Sequence, residues 1–125
     1  MNAQKKPSES RLWTTRYGMM AAIAPNGPVS RSLQRYGEWA EQELNLLSGL
    51  LEDGQSVLEF GGEYGAHTLW FAQAVGERGA VYVAEPRRLP FQQLCANVAI
   101  RTCTSACGSS SGTIVVNGGT GSSPR

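Results

Sequence analysis

Residues 57–76 read VLEFGGEYGAHTLWFAQAVG. A short apolar run meets a turn carrying Gly61, Gly62 and Gly65, and a second apolar run of helical length comes after it. Val57, Leu58 and Phe60 predict a buried strand, with the helix opening at Gly65 and stopped by Gly76. Glu59 stands inside that strand, where an unpaired carboxylate is costly. It therefore sits either at the strand's wet end or opposite a ligand group that offsets its burial. The glycines favour a ligand. They let the backbone turn sharply and approach a bound group with no Cβ in the way, and the helix behind them directs free N–H groups to the same place.

Outward from this stretch, strands and helices alternate. GERG over 76–79 is a turn, and AVYVAEP over 80–86 predicts a second strand that Pro86 stops. A helix is expected over 89–100, with Phe91, Leu94 and Val98 on one face and Pro90 near its first turn. Upstream, APNGP over 24–28 is a turn. Ser30 or Ser32 is expected to cap a helix running to Leu51. Tyr36, Ala40, Leu44, Leu47 and Leu51 form its apolar stripe, while Glu38, Glu41 and Asn45 fall away from it. Gly37 weakens its first turn, and Gly54 suits the left-handed cap. Alternating strands and short connections imply parallel pairing with right-handed crossovers.

The ends differ from the middle. Residues 1–15 are polar and expected to fray, within a partly flexible lead-in spanning 1–29. Residues 30–100 form the domain. From 101 to 125 Ser, Gly and Thr dominate; Ile114-Val115-Val116 is expected to pair as one short strand, and 117–125 to be disordered.

The chain has 125 residues, enough for one small domain. Lys plus Arg is 11 and Asp plus Glu is 10, a near balance that gives no global pull toward nucleic acid or anionic membrane. No run approaches the roughly 18 apolar residues of a membrane span, and no secretory core comes after Lys5 and Lys6. A cytoplasmic protein is expected. Cys95, Cys103 and Cys107 are odd in number, which argues against a disulfide framework. With His67 as the only histidine, no metal is expected.

Glu85 ends the second strand, 20 residues after Gly65. Adjacent strand ends lie about 5 Å apart, and an acid there can accept from a ribose diol. Three adenosine cofactors use such a site. The dinucleotide pattern Gly-x-Gly-x-x-Gly, started at Gly61, finds Glu63 and Ala66 where glycines are needed, and Glu63 opposes a pyrophosphate. No Gly-Lys-Ser/Thr exists for a P-loop. A ligand with a ribose, no phosphates and a positive group remains: S-adenosylmethionine.

Residues 57–100 resemble the FkbM family of S-adenosylmethionine-dependent methyltransferases. Glu59-x-Gly61-x-x-x-Gly65 looks like its first motif, and Ala66-His67-Thr68 is similar to the start of the family's adjoining helix. Val83-Ala84-Glu85-Pro86 resembles its second-strand ending, and FQQLCAN over 91–97 its next helix. SRSLQRYGEWAEQEL over 30–44 is similar to the segment leading in. The resemblance implies an α/β, Rossmann-like class I methyltransferase sandwich. It is incomplete here, an N-terminal helix plus the first two or three parallel strands. It implies methyl transfer to an acceptor oxygen of a small molecule or saccharide. Glu59, Gly61, Gly62, Gly65, His67, Thr68 and Glu85 are then the cofactor-binding residues.

Gly62-Glu63 departs from the family's Ala-Asn, and the family continues for about another half domain, so the chain looks like a truncated copy. No catalytic base is identified, and the chain alone is expected to lack turnover. Two other readings stand beside this one. One is a non-enzymatic fragment or a domain completed by a partner chain, prone to self-association through an open sheet edge. The other is a nicotinamide-dependent oxidoreductase fragment. Trp39 and Trp70 are expected to pack in the core.

Overall fold

A computed structural model describes residues 11–22, 27–101 and 112–117. They form a mixed α/β fold. The elements are β1 (Arg11–Thr15), β2 (Gly18–Ala22), α1 (Pro28–Tyr36), α2 (Glu41–Ser48), β3 (Ser56–Phe60), α3 (Ala66–Val75), β4 (Ala80–Ala84), α4 (Arg88–Arg101) and β5 (Thr113–Asn117).

The lead-in is more ordered than its polarity implies. Residues 11–15, expected to fray, form β1, paired antiparallel with β2. The turn is closed by Thr15 Oγ1, which donates to the Gly18 carbonyl at 2.6 Å and accepts from Tyr17 N–H at 3.1 Å. Strand alternation explains the stability: Trp13, Met20 and Ala22 point into the core, while Leu12 and Met19 face out. Trp13 buries its indole, whose N–H has no partner among the described residues, a cost of about 1–3 kcal/mol. Asn97 of α4, fully buried, fastens the hairpin. Its Oδ1 accepts from Ala21 N–H at 2.6 Å and its Nδ2 donates to the Ala21 carbonyl at 3.0 Å.

The single helix expected from Ser30 to Leu51 is two. Pro28 occupies its first turn and Gly27, not Ser30 or Ser32, its N-cap. Ser30 and Ser32 bond instead to the carbonyls of Gly27 and Glu38. Gly37 turns left-handed at φ 70° and ends α1, and Ala40 does so at φ 52° before α2. The expected stripe is therefore interrupted: Leu44 is buried and Tyr36 is exposed. Tyr17 explains the break. Its hydroxyl accepts from Trp39 N–H at 2.9 Å and lies 2.7 Å from Glu41 Oε1, giving the link between α1 and α2 partners outside a helix. Burial, with Glu41 and Glu38 nearby, pushes this phenol well above its ordinary value. The turn at 24–28 falls partly outside the described residues, as do residues 1–10, Cys103, Cys107 and the end of the tail.

The second sheet has the order β3-β4-β5. β3 and β4 pair in parallel, Glu59 opposite Val83, with α3 as the crossover. β5 is the strand expected at Ile114, but it runs antiparallel to β4 rather than parallel. Its inward residues Ile114 and Val116 face the same side as Val81 and Val83, all at most 1% exposed. Helices α3 and α4 cover this face through Leu69, Ala72, Val75, Leu94 and Val98. Trp39 and Trp70 are half-buried against the core. Among the described residues no helix is long and apolar enough to cross a membrane. None of them groups three or more His, Cys, Asp or Glu as a metal would need.

Candidate functional site

The glycine loop leaves β3 with one more ladder bond, Gly61 N–H to the Ala84 carbonyl at 2.8 Å. Its three glycines do different things. Gly61, at φ +80°, faces open space. Gly62 is buried, and a Cβ there would fall 2.6 Å from Val83 Cγ1 and 3.0 Å from Leu94 Cδ2. Gly65 caps α3 in the left-handed region, where a Cβ would meet Leu94 Cδ1 at 2.9 Å. Gly62 and Gly65 thus let the loop lie down on β4 and α4, and Gly61 alone presents bare backbone. Glu63 stands between them at φ 45°, unusual for a non-glycine residue. Asn97 holds the loop from below, its Nδ2 donating to the Tyr64 carbonyl at 2.8 Å.

Glu59 is half-buried and turns toward α3. Its Oε2 accepts from Thr68 Oγ1 at 2.5 Å. Burial pushes its carboxyl above the ordinary value and Glu85 adds to this, while the Thr68 hydrogen bond and His67 pull the other way. His67 directs Nε2 to the Trp39 carbonyl at 3.3 Å and sets its ring edge-on to Phe71. Among the described residues the ion pairs of Arg16, Arg78 and Arg87 go to other acids, so Glu59 lacks a Lys or Arg partner.

Glu85 lies just past β4, with a carboxylate inaccessible to solvent. Its Oε1 accepts from Arg87 N–H at 3.0 Å and Arg87 Nε at 2.9 Å. Its Oε2 accepts from Arg87 Nη2 at 3.0 Å and Glu63 N–H at 3.1 Å. The guanidinium is the main reason its carboxyl lies below the ordinary value, against the effect of burial. Arg87 also reaches Glu63 Oε1 at 3.3 Å, and the two acids hold its guanidinium more firmly protonated than usual.

Beside this carboxylate opens a cleft of about 520 Å³ lined by Phe60, Gly61, Ala84, Glu85, Pro86, Arg87, Gly112 and Thr113. The seven candidate residues therefore fall into two groups. Gly61 and Glu85 line the cleft. Glu59, His67 and Thr68 gather beneath the loop at the start of α3, and Gly62 and Gly65 pack the loop between them. Arg87 and Asn97 were not among the candidates. Asn97 lies beside a helical apolar stripe, and its buried amide is visible only once the hairpin is placed. Arg87 was legible as half of a dibasic pair, which ordinarily marks a solvated turn.

No family model matches the chain, and neither curated proteins nor solved structures give a match.

Proposed function

We propose that the chain binds S-adenosylmethionine at the carboxyl ends of β3 and β4, as the cofactor-binding unit of a class I methyltransferase of FkbM type. One observation carries this reading: Gly61 of the glycine loop and Glu85 meet at the carboxyl ends of a parallel strand pair and line one cleft. Open α/β sheets bind ligands there. Glu85 accepts from the ribose diol, and Gly61 allows close approach of the adenosine. Glu59, half-buried beneath the loop without a Lys or Arg partner among the described residues, would supply the negative charge that offsets the ligand's ammonium or sulfonium. His67 and Thr68 act through Glu59. When bound, the cofactor would supply a methyl group on a sulfonium that is already a good leaving group, for a small-molecule or saccharide acceptor, and the part of Gly61, Glu59 and Glu85 would be to hold and position it. Glu63 beside Glu85 disfavours a pyrophosphate and so a nicotinamide cofactor.

Calorimetric titration tests this reading. S-adenosylhomocysteine should bind, and more tightly than NAD. Tighter NAD binding would sink it. Glu85→Ala should weaken S-adenosylhomocysteine by about 1.5–3 kcal/mol, as for hydrogen bonds to a charged group. Glu85→Gln should lose less, since its oxygen still accepts one hydroxyl.

A second reading has its own observation. Leu58 and Phe60, 64% and 77% exposed, and Tyr82 lie on the sheet face away from α3. Among the described residues β3 is also an edge strand. Parallel strands are ordinarily covered on both faces. A domain completed by a second chain, including another copy of itself paired along β3, accounts for both features.

A further inference from the structure

The Glu85 carboxylate is already saturated. An ionised carboxylate offers about four acceptor sites, and the two N–H groups of Arg87 and Glu63 and the two guanidinium donors of Arg87 fill them. The two guanidinium bonds have a definite pattern, Nε to Oε1 and Nη2 to Oε2. A vicinal diol would donate in the same pattern, one hydroxyl to each oxygen. The backbone donors are fixed by the loop and by the start of α4. The guanidinium is not: the Arg87 side chain is 55% exposed at the rim of the cleft. It also has a second anchor in Glu63, whose side chain is 38% exposed.

We propose that Arg87 is an internal competitor for the diol of a ribose-bearing ligand, closing Glu85 in the free chain and swinging toward Glu63 when the ligand enters. This rests on the reading of the cleft as a nucleoside site, and goes beyond it by naming the residue that sets its affinity. A site that is competent only part of the time binds with its intrinsic affinity reduced by the competent fraction. Removing the competitor therefore tightens binding, whereas a residue that merely oriented Glu85 would loosen it when removed.

Adenosine, an uncharged molecule carrying the diol, is the probe. Its affinity is measured by calorimetry on the full chain, Arg87→Met, Arg87→Lys and the neighbouring charge control Arg88→Met, with circular dichroism on each sample. Arg87→Met should bind about 2–5-fold more tightly, the scale of a partly exposed ion pair. Arg87→Lys keeps the charge but cannot bridge both oxygens, so it should lie between. Arg88→Met should match the unaltered chain. Raising salt from about 0.05 to about 0.5 M should tighten adenosine binding to the unaltered chain by screening the latch, and leave Arg87→Met unmoved. Equal or weaker binding by both Arg87 variants, with their circular dichroism unchanged, overturns the latch. S-adenosylhomocysteine run on the same samples separates the two ideas. If it binds while adenosine gains nothing from either variant, only the latch falls; if neither ligand binds any of the proteins, both fall.

Discussion

The two faces of the β3-β4-β5 sheet carry similar side chains and meet opposite surroundings. Inward, Val81, Val83, Ile114 and Val116 lie under α3 and α4 at no more than 1% exposure. Outward, Leu58 lies opposite Tyr82, and Tyr82 opposite Val115, a row across all three strands. Phe60 continues that surface next to the cleft. The apolar character of a strand therefore says only that both faces suit a dry neighbour. Which face has one depends on where the crossover helix lies, and α3 covers a single side.

That contrast is broken most directly by truncation on the covered face. Ile114→Ala should cost about 2–4 kcal/mol, lost transfer energy plus a cavity, read as a fall in urea midpoint at constant slope. Within the loop, Gly62→Ala should cost about 1–3 kcal/mol, because its Cβ has no room beside Val83 and Leu94. Gly61→Ala meets no neighbour and carries only the left-handed backbone cost of about 1–2 kcal/mol. If Gly61→Ala proves the more damaging, the division of the loop into packed and open glycines is wrong.

These sites also mark how much could be read in advance. β3, α3 and β4 were legible because each couples an apolar run to a Gly or Pro stop, and α4 because an apolar stripe comes after Pro90 in its first turn. The convergence of Gly61 and Glu85 on the cleft stems from the βαβ topology alone. The illegible parts depended on distant partners. β1 has only Trp13 and Leu12 as large apolar residues, and its partner strand β2 is fastened by Asn97, far along the chain. The break at 37–40 depends on the Tyr17 hydroxyl, which nothing local to that segment announces. β5 runs antiparallel, a direction that a three-residue apolar run does not encode. In the site, the pairing of Arg87 with Glu85 needed the turn after Pro86 to fold the guanidinium back over two residues.

On the outer face the expected effects are smaller and of another kind. Phe60→Ser and Leu58→Ser should change the stability of a monomer by no more than about 0.5 kcal/mol, as for exposed positions. The same changes should abolish any concentration-dependent association seen by sedimentation, since they remove the apolar surface flanking the free β3 edge. A monomer at all concentrations before substitution would remove the case for a second chain. A large loss of stability would mean that this face is covered after all.

The subtlest contrast is between the two acids, and pH exposes it. Glu59 has a folded carboxyl raised above its ordinary 4.5, chiefly by burial. Its contribution to stability is full below that value and is lost as pH rises through the folded one. Glu85 is shifted the other way, chiefly by Arg87. Its contribution is present above 4.5 and is lost as pH falls through its lowered folded value. Replacing each by its neutral isostere should therefore have opposite signs at neutral pH. Glu59→Gln should unfold at higher urea than the unaltered chain at about pH 7, with the advantage fading toward about pH 4. Glu85→Gln should unfold at lower urea at about pH 7, and its deficit should hold down to the ordinary value of 4.5 and shrink only below it. Urea midpoints taken across that range for both variants decide the matter. Curves that shift in the same direction would mean that one environment governs both carboxylates. The division between an acid waiting for a cation beneath the loop and an acid already satisfied beside the cleft would then have to be abandoned.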